Sequence, residues 1–180
     1  MMPLINMETS SSIPDWSREK KSPFSWHPSR SLLCSIRQYQ KYAASSNGLL
    51  RFLSKIAVIK HRFWSVITGA DIPLNSHIGG GLLLPHPNGV VIHSRAIIGP
   101  NCLIFQQVTI GNSSRGAPPV IGGHVDIGAG AKILGNIHIG NHVVIGANAV
   151  VISDVPDNHS AIGVPALIRQ RCNAIMEEAL

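Results

Sequence analysis

An aliphatic residue returns every sixth position through residues 72–151 of this 180-residue chain. The series runs Ile72, Ile78, Leu84 and, after a step two residues too long, Ile92, Ile98, Ile104, Ile110. After the insertion "NSSRGAPPV" it resumes as Ile121, Ile127, Ile133, Ile139, Ile145 and Val151. Four residues beyond each member the side chain is mostly small or apolar, as at Ser76, Ala96, Cys102, Val108, Ala131, Ala149 and Val155. A period of six matches neither the roughly 3.6 of an amphipathic helix nor the roughly 2 of a half-buried strand. It fits a coil in which each hexad makes one short strand and one corner, and three hexads close a triangular turn. The aliphatic then points inward at every level and stacks on its copy 18 residues away. This is the hexapeptide β-helix pattern. Glycine and asparagine, frequent after the aliphatic, suit corners that other residues resist.

Before the repeat the chain reads differently. Residues 31–67 carry two helical patterns, with Ile36, Tyr39 and Tyr42 at helical spacing in the first. In the second, Leu49, Leu50, Leu53, Ile56, Ala57 and Ile59 form an apolar stripe, and Asn47-Gly48 separates the two. The expected organisation is an irregular or disordered leader at 1–30 and a helical cap at 31–70. A β-helix follows at 71–156, then a C-terminal arm and helix at 157–180. The net charge of +6 belongs to the first part: residues 1–70 hold ten Lys and Arg against three acids, and residues 71–180 hold five against six. Such a basic arm suits nucleic acid, a membrane surface or an anionic substrate, against the plainer reading of a solvated leader. No aromatic-interleaved basic stripe supports nucleic-acid binding. The three cysteines, Cys34, Cys102 and Cys172, are far apart and form no C-x-x-C, which fits a reducing cytoplasm better than a disulfide framework or zinc finger. The start lacks a secretory pattern, and no run approaches the roughly 18 apolar residues of a membrane span.

Residues 71–170 resemble the hexapeptide-repeat acyltransferases, and within them the serine acetyltransferase branch. The stretches that carry this are "DIPLNSHIGGGLLLPHPNGVVI", "VTIGN", "IGAGAKILGNIHIGNHVVIGANAVV" and "VPDNHSAIGVPA". The resemblance implies a mainly β protein, a left-handed parallel β-helix that forms a homotrimer with active sites between subunits. It also implies acetyl-CoA as co-substrate and O-acetylation of a hydroxyl acceptor. In that branch the histidine of an H-x-x-G-[IV]-V-I stretch is the general base, and an aspartate fifteen residues earlier orients it. Here these are His86 and Asp71. The chemistry is coherent on its own terms: a hydroxyl needs a base to take its proton in the transition state, and histidine titrates nearest neutrality. A carboxylate on the other ring nitrogen fixes the tautomer. The resemblance further places Gly111, Ala129, Ala131 and Lys132 along the CoA arm, Gly163 and Pro165 in a loop over its end, and Arg169 toward its phosphates.

The departures bear on the acceptor. Pro85 precedes His86 where the branch has a polar residue. The branch's Arg-His pair for the amino-acid carboxylate falls on Ala117 and Pro118, which leaves Arg115 as the one cation of that loop and the candidate acceptor contact. A carboxylate without a cationic partner is costly to desolvate. The expectation is therefore a sugar hydroxyl of a surface polysaccharide or its precursor. Serine O-acetylation for cysteine biosynthesis is the alternative, and a non-catalytic scaffold prism the further one. His124 and His142, 18 residues apart, are expected to stack at about 4.8 Å as a solvent-facing ladder rather than a metal site, and no metal is expected.

Overall fold

The computed structural model describes residues 9–22, 25–112 and 116–171. Residues 71–162 wind as a three-sided parallel β-helix. One face is built from His77–Ile78, Ile97–Ile98, Val120–Ile121 and His138–Ile139. The next holds Leu103–Ile104, Asp126–Ile127, Val144–Ile145 and His159–Ile162. The third holds Val91–Ile92, Thr109–Gly111, Lys132–Leu134 and Val150–Val151. In nearly every two-residue strand the first side chain faces out and the second, an Ile in all but one, is buried. The stacked isoleucines from Ile92 to Ile145 are at most 2% exposed. Each fully buried side chain of that size stabilises the fold by about 1.5–3 kcal/mol, and this column is the main cohesive term of the prism.

The register explains the irregularities in the repeat. Regular coils pair residues 18 apart, as in Val120 with His138. Across the corner that holds His86 the offset is 20 on all three faces: His77 with Ile97, Leu83 with Leu103, Asp71 with Val91. Two extra residues are thus absorbed between Leu84 and Val91. Across the 112–119 insertion the offset becomes 23, as in Thr109 with Lys132. The last coil is two residues short instead: Val155 pairs with Ile139 and Ala161 with Ile145, 16 back. Val155 therefore sits opposite an aliphatic position rather than the small-residue position that the repeat assigns it.

Two helices cover the first coil: α1 (Pro28–Ala43) and α2 (Gly48–Thr68). Proline at the first turn of α1 and the Asn47 side chain capping Leu49 N–H mark their starts, and Gly69 at φ 63° ends α2. Leu32, Leu33 and Ile36 of α1 close the end of the prism against Ile72, Ile78, Leu82 and Leu84. In α2 the packed side is Ala57 and Thr68, with Leu50, Leu53 and Trp64 half-buried. Leu49 and Ile59, part of the stripe read as one apolar face, point to solvent. The tail differs in kind from an arm: Leu167–Gln170 returns antiparallel to His159–Ile162 as a hairpin strand. The expected C-terminal helix falls largely on residues 172–180, outside the described residues.

The leader holds the least expected structure. Residues 9–22 contain only a short 3-10 turn, Trp16–Glu19, yet they lie along the corner between the first two faces. Asn101 at that corner receives Asp15 N–H on Oδ1 at 2.7 Å and donates Nδ2–H to the carbonyls of Ser10 and Ile13 at 2.7 and 2.8 Å. Arg18 donates to the Asn101 carbonyl at 2.6 Å. Glu19 accepts Gly81 N–H at 2.8 Å and Leu82 N–H at 3.2 Å, and pairs with Arg37 of α1 at 3.0 Å. Trp16 lies flat over Gly80, where any Cβ would come within 2.6 Å of its ring.

Candidate active site

The prism has two corners lined by left-handed backbone. One is the ladder Gly81, Asn101, His124, His142, Asn158, with φ of 79°, 61°, 53°, 56° and 59°. The other is Gly89, Gln107, Gly130, Asn148, with φ of 68°, 61°, 74° and 56°. Rungs of each are tied by one N–H to the coil before, as Asn148 N–H to Ala129 O at 2.8 Å. His86 belongs to the second corner. It lies in the two-residue excess, exposed, between Leu84 and Val90, both buried. The turn is held from both sides: Gly89 N–H donates to Gly69 O at 2.9 Å, and Asn88 O accepts Gln107 N–H at 2.9 Å.

Asp71 lies on the face that this corner leads into, bridged to Val91 and exposed. Its backbone is fixed by Asp71 N–H to Val90 O at 2.8 Å and Ile92 N–H to Asp71 O at 2.9 Å. His86 and Asp71 therefore lie at one edge of the prism, on neighbouring coils. Among the described residues no hydrogen bond joins their side chains, so within the single chain both are free to meet a substrate.

The other predicted residues fall on the same corner or on the face beside it. Ala129 lies in the corner two coils beyond His86, and Gly111 and Lys132 lie on the adjoining face. Lys132 Nζ donates one hydrogen bond to the Gln107 carbonyl at 2.5 Å, which positions its charge at the corner. Ala131 is fully buried, and its side chain points into the core; only its backbone can meet a ligand. Gly163, at φ 102°, and Pro165, after a cis peptide, form the tip of the terminal hairpin, and Arg169 is exposed on its return strand beside Ser160. Arg115 lies outside the described residues. Beside that gap Ala117 is exposed and Pro118 is buried, so neither offers a cation.

Sequence reasoning missed three features around His86. Gln106 Oε1 is buried with no hydrogen-bond partner among the described residues. Gln107 Nε2 donates to Asn88 Oδ1 at 3.1 Å and stiffens the turn after His86. A groove of about 240 Å³ beside Pro85 is lined by Leu82, Leu83, Leu84 and, from the entry to α1, His27, Ser29 and Arg30. No repeat or motif marks those three residues, since only the docking of the helices brings them to the prism.

Cys102 is fully buried, and burial pushes its thiol up to about 11, so it is no nucleophile at neutral pH. The His124 and His142 rings stand 5.0 Å apart, edge to face, with Nδ1 to Nδ1 at 2.8 Å. Among the described residues no group of three or more His, Cys, Asp or Glu side chains is arranged to hold a metal.

No family profile matches the chain. Individual relatives do. It is 41% identical over 109 residues to a serine acetyltransferase of Synechococcus elongatus, covering 59% of this chain and 45% of the relative. It is 50% identical over 101 residues to that of Synechocystis, covering 54% and 41%. Among solved structures, soybean serine acetyltransferase complexed with serine matches with a TM-score of 0.68 and 33% identity, covering 80% of this chain and 58% of that one. A serine acetyltransferase complex with CoA matches with a TM-score of 0.66 and 33% identity over 80% and 58%. The chain thus spans less than half the length of these sequence relatives. The prism matches the left-handed β-helix of these serine acetyltransferase structures, and the likeness is to hexapeptide-repeat acyltransferases. Within that class the sequence and the fold are most similar to serine acetyltransferases among the relatives described above.

Proposed function

We propose that this chain is an acetyl-CoA-dependent O-acetyltransferase. Its reactive edge is the corner of His86, and in a homotrimer that edge meets a neighbouring subunit. His86 takes the proton of the acceptor hydroxyl as its oxygen attacks the thioester carbonyl, and Asp71 holds the imidazole in the right tautomer. The tetrahedral centre collapses with loss of the carbon–sulfur bond, and the imidazolium returns its proton to the departing CoA thiolate. Backbone N–H groups near the loosened turn are suited to stabilise the oxyanion. The CoA arm is read along Gly111, Ala129 and the backbone of Ala131, with Lys132 and Arg169 as cations for its phosphates and Gly163 and Pro165 over its end.

The observation that carries the reading is the likeness to serine acetyltransferases, beside a register that sets the Asp71 strand next to the strand that follows the His86 turn. It favours L-serine as acceptor over the saccharide expected from the sequence. A saccharide hydroxyl remains the second reading for one reason: exposed Ala117 and buried Pro118 stand where a carboxylate would need cations. Release of free CoA measured with L-serine, hexoses, aminosugars and polyols decides between them. The expected result is saturable turnover with L-serine. Faster turnover with a sugar establishes the second reading. CoA binding with no turnover on any acceptor leaves a non-catalytic prism.

A further inference from the structure

Most exposed apolar side chains of α2 share one side. Leu49, Phe52, Ile59, Phe63, Val66 and Ile67 are between 45% (Ile67) and 82% (Val66) exposed. At about 3.6 residues per turn they fall in one arc, opposite the packed side of Ala57 and Thr68. The arc runs the length of the helix, about 30 Å at 1.5 Å per residue. Among the described residues nothing covers it, and an apolar strip of this extent on a protein surface marks a docking face.

Its flanks identify the occupant. Arg51, Lys55 and Arg62 line one side of the strip and Lys60 the other. Residues 20–70 contain nine Lys and Arg and no Asp or Glu. A second copy of α2 laid on the strip would set these cations against their own equivalents, with no carboxylate on either helix to answer them. An anionic bilayer answers all of them at once. The apolar side enters the acyl boundary, the lysines and arginines reach the headgroup phosphates, and the helix lies in the plane of the membrane. Among the described residues no helix is long and apolar enough to cross a bilayer, so the contact is with one leaflet. Trp26, 70% exposed and edge-on to Trp64 of α2 at 5.7 Å, adds an aromatic side chain of the kind that settles at headgroup level.

We propose that α2 is an interfacial anchor that seats this protein on the surface of an anionic lipid membrane. The inference is independent of the acceptor and of the chemistry at His86.

The test is flotation of the full chain with vesicles of phosphatidylcholine alone and of phosphatidylcholine with an equal part of phosphatidylglycerol. The expected result is binding to the anionic vesicles at about 0.1 M salt, weakened at about 1 M, with little binding to the neutral ones. Ile59→Ser with Phe63→Ser should lower the partition coefficient at least about tenfold. Gln in place of Arg51, Lys55, Lys60 and Arg62 together should remove the preference for anionic lipid. Both variants change exposed side chains, and unchanged circular dichroism confirms that they fold. Failure of the parent to bind anionic vesicles overturns the proposal, as does full binding by the Ile59/Phe63 variant. So does a drop in mass by light scattering for that variant without any lipid effect, which would make the strip a contact between copies.

Discussion

The two left-handed corners of the prism have the same backbone and opposite fates. At the corner of Asn101 the chain lays its own residues 9–19 over the coil, and polar atoms that would otherwise face water are used internally. At the corner of Gln107 nothing from the described N-terminal segment is laid across the rungs. The turn at 85–90 bulges by two residues, and His86, Asn88 and Gln107 remain exposed. Left-handed φ costs a non-glycine residue about 1–2 kcal/mol, and both ladders carry several such residues, so geometry alone does not distinguish them. The difference lies in what covers each corner. One fastens the N-terminal segment, and the other, left open, is the corner proposed for chemistry.

The largest expected effect tests the open corner. His86→Ala should reduce turnover by about 10²–10⁴, the usual worth of a general base, with CoA affinity retained. His86 is exposed and makes no hydrogen bond among the described residues, so the fold should be indifferent to its loss. Turnover by the variant within a few-fold of the parent would remove His86 from the mechanism and leave the corner without its base.

The covered corner is broken at Asn101. Asn101→Gly keeps the φ of 61° accessible while deleting three hydrogen bonds to the N-terminal segment. The Asp15 N–H and the Ser10 and Ile13 carbonyls would lose partners in a half-buried setting, at a cost of about 1–3 kcal/mol. Denaturation midpoints should fall accordingly, and trypsin should cut at Arg18 or Lys20 far faster than in the parent. Acetyl transfer, if it belongs to the other corner, should stay within about twofold. Unchanged protease resistance would show that Trp16 and Glu19 suffice to hold the segment.

These two corners were not equally legible in the sequence. The coil itself was, because Ile92 through Ile145 repeat at a period that only a β-helix satisfies, and because the slip before Ile92 reappears as the 20-residue offset on every face. His86 and Asp71 could be named from a motif, and the register puts them on one edge. The segment over Asn101 could not be foreseen. Its Ser- and Pro-rich composition has no periodicity, and its order comes from single side chains such as Glu19 and Asn101 meeting backbone groups some sixty to ninety positions away. The stripe on α2 misled for a related reason. Leu49 and Ile59 satisfy helical spacing as well as Ala57 does, and only the docking direction tells which apolar side is buried.

The smallest effect concerns the covered corner's own histidines. With Nδ1 to Nδ1 at 2.8 Å, one of His124 and His142 must donate and the other accept, so at least one ring is neutral. Burial is the main cause holding His124 below its ordinary 6.5. Asp126 opposes that shift, while His142, Arg18 and Arg171 reinforce it. The folded protein therefore takes up this proton less readily than the unfolded chain. As pH falls below 6.5 the unfolded state is protonated first, and stability declines. Above that pH both states are neutral and the contribution is constant. Asparagine already occupies the same left-handed ladder at positions 101 and 158, so His124→Asn should be accepted at the corner without strain. Urea midpoints followed from neutral pH downward should fall less steeply in the variant than in the parent. Parallel curves would assign the acid sensitivity to other groups and leave the histidine pair as simple packing along the covered corner.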